Sequence, residues 1–261
     1  MNKILSILLA CTAAGAAYGA QETAQETGQA AKNVAIDSVV VTGARYASDI
    51  RHLPMSVAVV DRDEIVRRQE ASVLPLLTEQ VPGLFVTGRG VMGYGVSDGA
   101  AGGISLRGIG GGSAAQMLVL IDGHPQYMGL FGHPIADAYQ SMLAERVEVV
   151  RGPASVLYGS NAMGGVINIV TRKMAEDGVK TNVHAGYGSY NTLETEATNQ
   201  LKYGRFTSTV TGSYNRTDGH RKDMGFEQYG GYAKLGYQIT DEWDVYADVN
   251  LTHFNAQNPG A

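Results

Sequence analysis

Val179-Lys180-Thr181-Asn182-Val183-His184-Ala185-Gly186-Tyr187 alternates without a break: Val179, Thr181, Val183, Ala185 and Tyr187 fall on one side of an extended chain, and Lys180, Asn182, His184 and Gly186 on the other. Side chains along a strand point to opposite faces with period two, so this stretch predicts a strand with one apolar and one polar face. The pattern recurs. Leu193, Thr195, Ala197, Leu201 and Tyr203 oppose Glu194, Glu196, Gln200 and Lys202, and Phe206, Val210 and Tyr214 oppose Arg205, Thr207, Thr209 and Thr211. Tyr229, Ala233, Leu235, Tyr237 and Ile239 oppose Gln228, Lys234 and Gln238, and Trp243, Val245, Ala247, Val249 and Leu251 oppose Glu242, Asp244, Asp248 and Asn250. Five such strands of roughly ten residues or more carry the pattern of a membrane-spanning β-barrel wall. Aromatic residues near their ends (Tyr187, Tyr203, Tyr214, Tyr229, Tyr237, Trp243) suit an interfacial girdle. The other reading is a soluble antiparallel sheet with one wet face.

The connections give an orientation. Gly204 and Thr240-Asp241 make short turns, and residues 217–227 make a long polar one. Short turns on the inner side and longer loops outside are the rule for such walls, which puts Asp218, His220, Arg221, Lys222 and Asp223 outside. Composition agrees: charged residues are only 17% of 261, glycine is 34 of them, and tyrosine (14) outnumbers phenylalanine (5) and tryptophan (1) together. A net charge of -5, with no basic excess, argues against a nucleic-acid binder. The one cysteine, Cys11, leaves the body without a disulfide or a thiolate site.

Residues 1–19 form a signal peptide: Lys3 is the basic start, an apolar stretch follows, and Ala17-Tyr18-Gly19 offers small residues at the cleavage positions. Leu8-Leu9-Ala10-Cys11 also fits a lipid-attachment motif, although the signal would be short for one. Residues 20–36 are expected to be a flexible linker, because Gln21 to Asn33 within it lack large apolar groups. Asp37-Ser38-Val39-Val40-Val41-Thr42-Gly43 is then either an ordinary first strand or an extended segment offered to a partner's sheet edge.

From residue 50 to 173 the texture is mixed α/β. Strands are expected at 56–60, 84–87, 104–106, 117–121, 147–150 and 166–170. Asp61 with Glu64 has capping-box spacing for one short helix, and Ser72 caps a second that runs through Leu77 and stops at Val81-Pro82-Gly83. Two long Gly-rich connections, 88–103 and 123–139, have the length of binding or mobile loops.

These residues resemble a known family. Leu106-Arg107-Gly108, Leu118-Val119-Leu120-Ile121-Asp122-Gly123, Val147-Glu148-Val149-Val150-Arg151-Gly152-Pro153, Leu157-Tyr158-Gly159-Ser160-Asn161-Ala162 and Gly164-Gly165-Val166-Ile167-Asn168-Ile169 are similar, in order, to the plug-domain motifs of TonB-dependent outer-membrane receptors of the cobalamin, siderophore and haem group. Asp37, Ser38, Val39, Val40, Val41 and Thr42 resemble the TonB box. The resemblance implies an α/β plug domain (50–173) followed by antiparallel transmembrane barrel strands (179–261). It also implies residence in the outer membrane of a Gram-negative bacterium, with lipid and TonB as partners and an iron chelate, haem or corrinoid as ligand. No cofactor and no enzymatic activity are implied.

By the same resemblance Arg107 and Arg151 are expected on the plug surface, paired with barrel glutamates, a role that suits bidentate arginine. Tyr94 in the first long loop, and His124, Tyr127, Phe131 and His133 in the second, are candidate ligand contacts. The second loop is expected to face the external cavity, where two imidazoles could ligate haem iron or hydrogen-bond a siderophore. The plainer reading makes both histidines turn residues that contact water or the wall. Gly123, Gly152 and Gly159 are expected as tight-turn glycines without chemistry. The family's barrel has about 22 strands against five here, so the chain is expected to be a truncated receptor. Two functions follow: a transporter, or a non-conducting module that binds ligand or TonB.

Overall fold

The computed structural model describes residues 39–40, 48–49, 53–94, 102–111, 116–126 and 134–257. The expected signal peptide and linker lie outside the described residues, as do Asp37, Ser38, Val41, Thr42, Tyr127, Phe131 and His133.

An α/β body comes first. Its central sheet has the order β3 (Val57–Val60), β9 (Ala144–Arg151), β10 (Gly165–Thr171), β7 (Met117–Ile121) and β8 (His124–Pro125). β10 runs parallel to β7 and antiparallel to β9. All five residues of Met117-Leu118-Val119-Leu120-Ile121 are buried, because both faces of the sheet are covered and alternation is lost. One face packs on two helices, α1 (Arg62–Arg68) and α2 (Val73–Gln80), through Ile65, Leu74, Leu77, Val119 and Ile167. The other packs Leu118, Leu120 and Val166 under Ala154 and Ala162. A second sheet, β4 (Leu84–Val86), β5 (Ile104–Leu106) and β6 (Ile109–Gly110), flanks the first.

Both helices start where their caps direct. The Asp61 side chain accepts the Glu64 amide at 2.9 Å, and the Ser72 hydroxyl accepts the Leu74 amide at 3.3 Å. Helix α2 runs to Gln80, one turn past the expected end at Leu77. Its stop is Val81, held extended (φ -105°, ψ 107°), as a residue before proline tends to be. Strand β9 also exceeds expectation at both ends, because it is paired on both sides.

The wall follows: β11 (Gly178–Gly188), β12 (Thr192–Tyr203), β13 (Phe206–Thr217), β14 (Phe226–Gln238) and β15 (Asp244–Ala256), each antiparallel to the next in chain order. The connections at one end are short (204–205 and 239–243). The opposite end carries the longer 218–225 loop and the 189–191 link. The two faces are inverted relative to a soluble sheet. Glu196, Thr198, Gln200, Thr209, Thr211, Asn215, Gln228 and Lys234 are buried. Val179, Val183, Val210, Leu235, Val249 and Leu251 are exposed, Val183 to 73%. At about 1.5–3 kcal/mol for each large apolar side chain left in water, these six alone forfeit on the order of 10 kcal/mol, comparable to a domain's whole stability. A sheet with one wet face would turn the opposite way, so that reading is overturned. Among the described residues no helix is long and apolar enough to cross a membrane, which says nothing of strands.

Candidate functional site

The body sits on the polar face of the wall, and the seam between them is where polar chemistry concentrates. Gln228 on β14 donates from Nε2 to the Asp137 carbonyl, and the Asp137 carboxylate accepts the Tyr94 amide at 2.9 Å. Tyr232, two residues along the same face, joins the core of the body. Between them Gly230 presents bare backbone, and Gln140 of the body occupies the space a Cβ would fill.

Nearer the short-turn end lies a second contact. Asp122 follows β7 in a left-handed conformation (φ 48°) and is linked three ways. Its carboxylate accepts the Thr171 amide at 2.8 Å, accepts the Thr171 hydroxyl, and pairs with Lys234 of β14. The Lys234 ammonium also lies 3.4 Å from Thr171 Oγ1 and 4.3 Å from the centre of the Tyr246 ring. Tyr246 in turn meets His124: its hydroxyl is 2.5 Å from Nε2, and the rings are edge-on at 5.6 Å. Burial pushes the Asp122 carboxyl up, but the hydrogen bonds from Lys234 and Thr171 outweigh it and hold it below the usual aspartate value.

A third contact surrounds a cavity of about 200 Å³ between α1 and the wall, lined by Arg62, Glu70, His184, Glu194 and Glu196. Arg62 donates to the carbonyls of Ala144 (2.8 Å) and Ser141 (3.2 Å). Burial, then the nearby Arg172 charge, lowers its pKa, while the charges of Glu145 and Glu196 oppose the shift. Glu196 Oε1 is buried without a hydrogen-bond partner among the described residues. The cavity is polar and roomy enough to hold water.

Residues 49–166 match the family model described as the TonB-dependent Receptor Plug Domain. The α/β body is such a plug domain. Solved structures agree on the fold of plug and wall together. P. aeruginosa FpvA bound to heterologous pyoverdines is 17% identical over 82% of this chain, with a TM-score of 0.67. The siderophore receptor PirA of Pseudomonas aeruginosa is 24% identical over 77% (TM-score 0.55), and the ferric enterobactin receptor PfeA of the same organism is 21% identical over 76% (TM-score 0.54). The chain spans 27%, 36% and 33% of the lengths of those three chains.

Within this plug the expected site residues are dispersed. Val39–Val40 (β1) pairs antiparallel with Ser48–Asp49 (β2), and this two-stranded ladder is separate from both plug sheets. Arg107 and Arg151 do not reach the described wall: Arg107 donates to the Arg151 carbonyl at 3.4 Å and Arg151 to Ser56 Oγ at 2.5 Å. Glu196 on the wall feels the charges of the plug arginines Arg62 and Arg172. Tyr94 is not open to a ligand; it is 8% exposed and belongs to the plug core, because its loop folds back between Ser72 and Asp137. His124 does not face the long-loop end either. Its partner Tyr246 lies level with Gly236 and two residues into β15, beside the short turns.

The seam residues Asp122, Gln140, Gly230 and Lys234 carry no site role in the sequence reading. Two signals were present: a lysine on the buried-side register of β14, and a Gly-Gly pair inside a strand, which often marks a close backbone approach.

Proposed function

We propose that the chain forms the plug and first wall strands of an outer-membrane receptor that takes up an iron-siderophore, driven by TonB. The observation that carries this is the inverted wall, apolar outward and polar against the plug, the polarity a lipid-embedded barrel requires. The solved structures similar to it include receptors for pyoverdine and enterobactin, which favours a siderophore. The haem reading loses its support with His124 at the short-turn end.

In this proposal the short turns face the periplasm. The segment around Val39–Val40 is the coupling element: it stands outside the plug sheets, so a partner strand can pair with its backbone without dismantling the plug. The loop at 88–94 lies under the long 218–225 connection on the outer side, where Gly93 packs on Phe226 and Gly90 on Met224 and His220.

The experiment is uptake of radiolabelled ferric siderophores by iron-starved cells, with and without the gene and with and without TonB. Uptake of at least one chelate that needs both is the expected result. Recovery of the protein in the soluble periplasmic fraction, or uptake unaffected by loss of TonB, would overturn the reading.

A further inference from the structure

The cavity of about 200 Å³ between α1 and the wall has two unlike sides. Ile65, Val66 and Met142 of the plug make an apolar side. Glu70, from the link between α1 and α2, and Glu194 and Glu196, from β12, bring three carboxylates to the other. One guanidinium, that of Arg62, faces them, and it is already spent on the carbonyls of Ser141 and Ala144.

The negative charge is not balanced where it sits. Glu194 feels the Glu70 charge, with His184 alone opposing it. Arg68 offsets Glu70 but is paired with Glu79. Burial, then the Glu79 charge, pushes the Glu70 carboxyl above its ordinary value. Glu196 is only 8% exposed, and it feels the charges of Arg62 and Arg172. Its Oε1 nevertheless has no hydrogen-bond partner among the described residues, and neither has Nδ2 of Asn182 in the same lining. Water would satisfy these two atoms and leave the charge uncompensated.

A cation completes such a cavity, and the lining decides its kind. Among the described residues no three histidine, cysteine or carboxylate side chains stand together closely enough to hold a metal ion. A methylene chain can lie along the apolar side while an ammonium at its end gives its three donors to the carboxylates. A groove of about 330 Å³ adjoins the cavity and shares Glu70, Ala71 and Glu194 with it. Gly90 and Met92 of the 88–94 loop stand in its wall, so the chain has a way in from the long-loop end.

We propose that this cavity binds an aminoalkyl cation, a primary ammonium on a short methylene chain, with Glu70, Glu194 and Glu196 as its acceptors. Two sources carry that group: a free alkylamine, and an iron chelate whose chain ends in an amine. The site goes beyond the transport reading and needs neither uptake nor TonB.

The test is calorimetric titration of the purified full-length protein in detergent with n-pentylammonium chloride. Saturable binding at a single site is expected, with none for n-pentanol, which lacks the charge, or for trimethylpentylammonium, which lacks the donors. Glu194→Gln and Glu70→Gln keep the side-chain shape, and each should weaken binding roughly tenfold or more, as loss of a charged hydrogen-bond partner does. Glu79→Gln, whose carboxylate lines only the adjoining groove, should stay within about twofold of the parent. The alkylammonium series needs no variant, so it reads the site even if a substitution prevents assembly.

A ferric trihydroxamate ending in an aminopentyl group, and the same chelate N-acetylated, separate the two sources. Tighter binding of the free-amine chelate, with the difference erased by Glu194→Gln, upholds the site and makes the chelate's arm its occupant. Equal binding of the two chelates, or binding of neither, alongside saturable pentylammonium binding upholds the site for the free amine. No saturable pentylammonium binding, equal binding of the quaternary ion, or unchanged affinity in both glutamine variants would each overturn the proposal. A protein that binds pentylammonium and takes up no chelate keeps this site and loses the transport reading.

Discussion

Gly230 on the wall and Gln140 on the plug occupy the same small volume: a methyl group built on Gly230 would overlap the Gln140 side-chain nitrogen and the Ser213 hydroxyl. The plug seats at this depth because the strand has no side chain there. Its neighbour Gly231 has open space around the same position. Gly230→Ala should therefore destabilise the seated plug by about 1–3 kcal/mol, the usual range for overpacking. Gly231→Ala should be close to neutral. Thermal unfolding of the purified protein in detergent, followed by plug and wall probes separately, measures both.

Asp122 makes an acid prediction with a definite sign. Its folded carboxyl lies below the ordinary value, so the stability it contributes is fully present above the free aspartate pKa of about 3.9. That contribution is lost only as pH falls through the lowered folded value. The plug should stay fastened throughout the neutral and mildly acidic range. Titration of the Asp122 carboxyl carbon by NMR should give a midpoint below about 3.9, and Lys234→Met should move it upward.

The first helix depends on one exposed side chain. Asp61 satisfies the Glu64 amide, so Asp61→Ala should cost about 1 kcal/mol and Asp61→Asn much less. Denaturant midpoints of the two variants make the comparison, with no effect expected on the wall.

Coupling is tested at Val40. Proline there deletes an amide donor and fixes φ. β1 lies outside both plug sheets, so Val40→Pro should leave surface binding of chelate intact while TonB-dependent uptake is lost. Equal loss of binding and uptake would mean that the segment supports the plug fold.

Much of the fold was legible because it depends on local periodicity and local capping. The alternation from Val179 onward maps onto burial through the middle of β12, β13 and β14, while Lys180, Asp244 and Asp248 on the two outer strands are exposed; Ile104–Leu106 and Met117–Ile121 are strands with the expected limits. Asp61 and Ser72 announce their helices through bonds two or three residues away. The seam was not legible, since Asp122 meets Lys234 across 112 positions and no period or spacing encodes that meeting. Tyr94 went astray for the same reason: whether a loop tyrosine is open or buried depends on Asp137, 43 residues on. The end of the wall at which His124 lies followed from the register of β15 and not from its own loop.

The central claim is that the wall stands in lipid with its apolar face outward, and spin labels test it most directly. Labels placed one at a time at Val183, Val210, Leu235 and Val249, in the protein as it sits in its membrane, should be relaxed by oxygen and shielded from a water-soluble nickel chelate. Labels at Thr198 and Thr211, on the plug side, should be immobile and shielded from both. If the nickel chelate reaches the four outward positions as readily as it reaches a label at Asp241 in the 239–243 turn, the wall is not in lipid and the account fails.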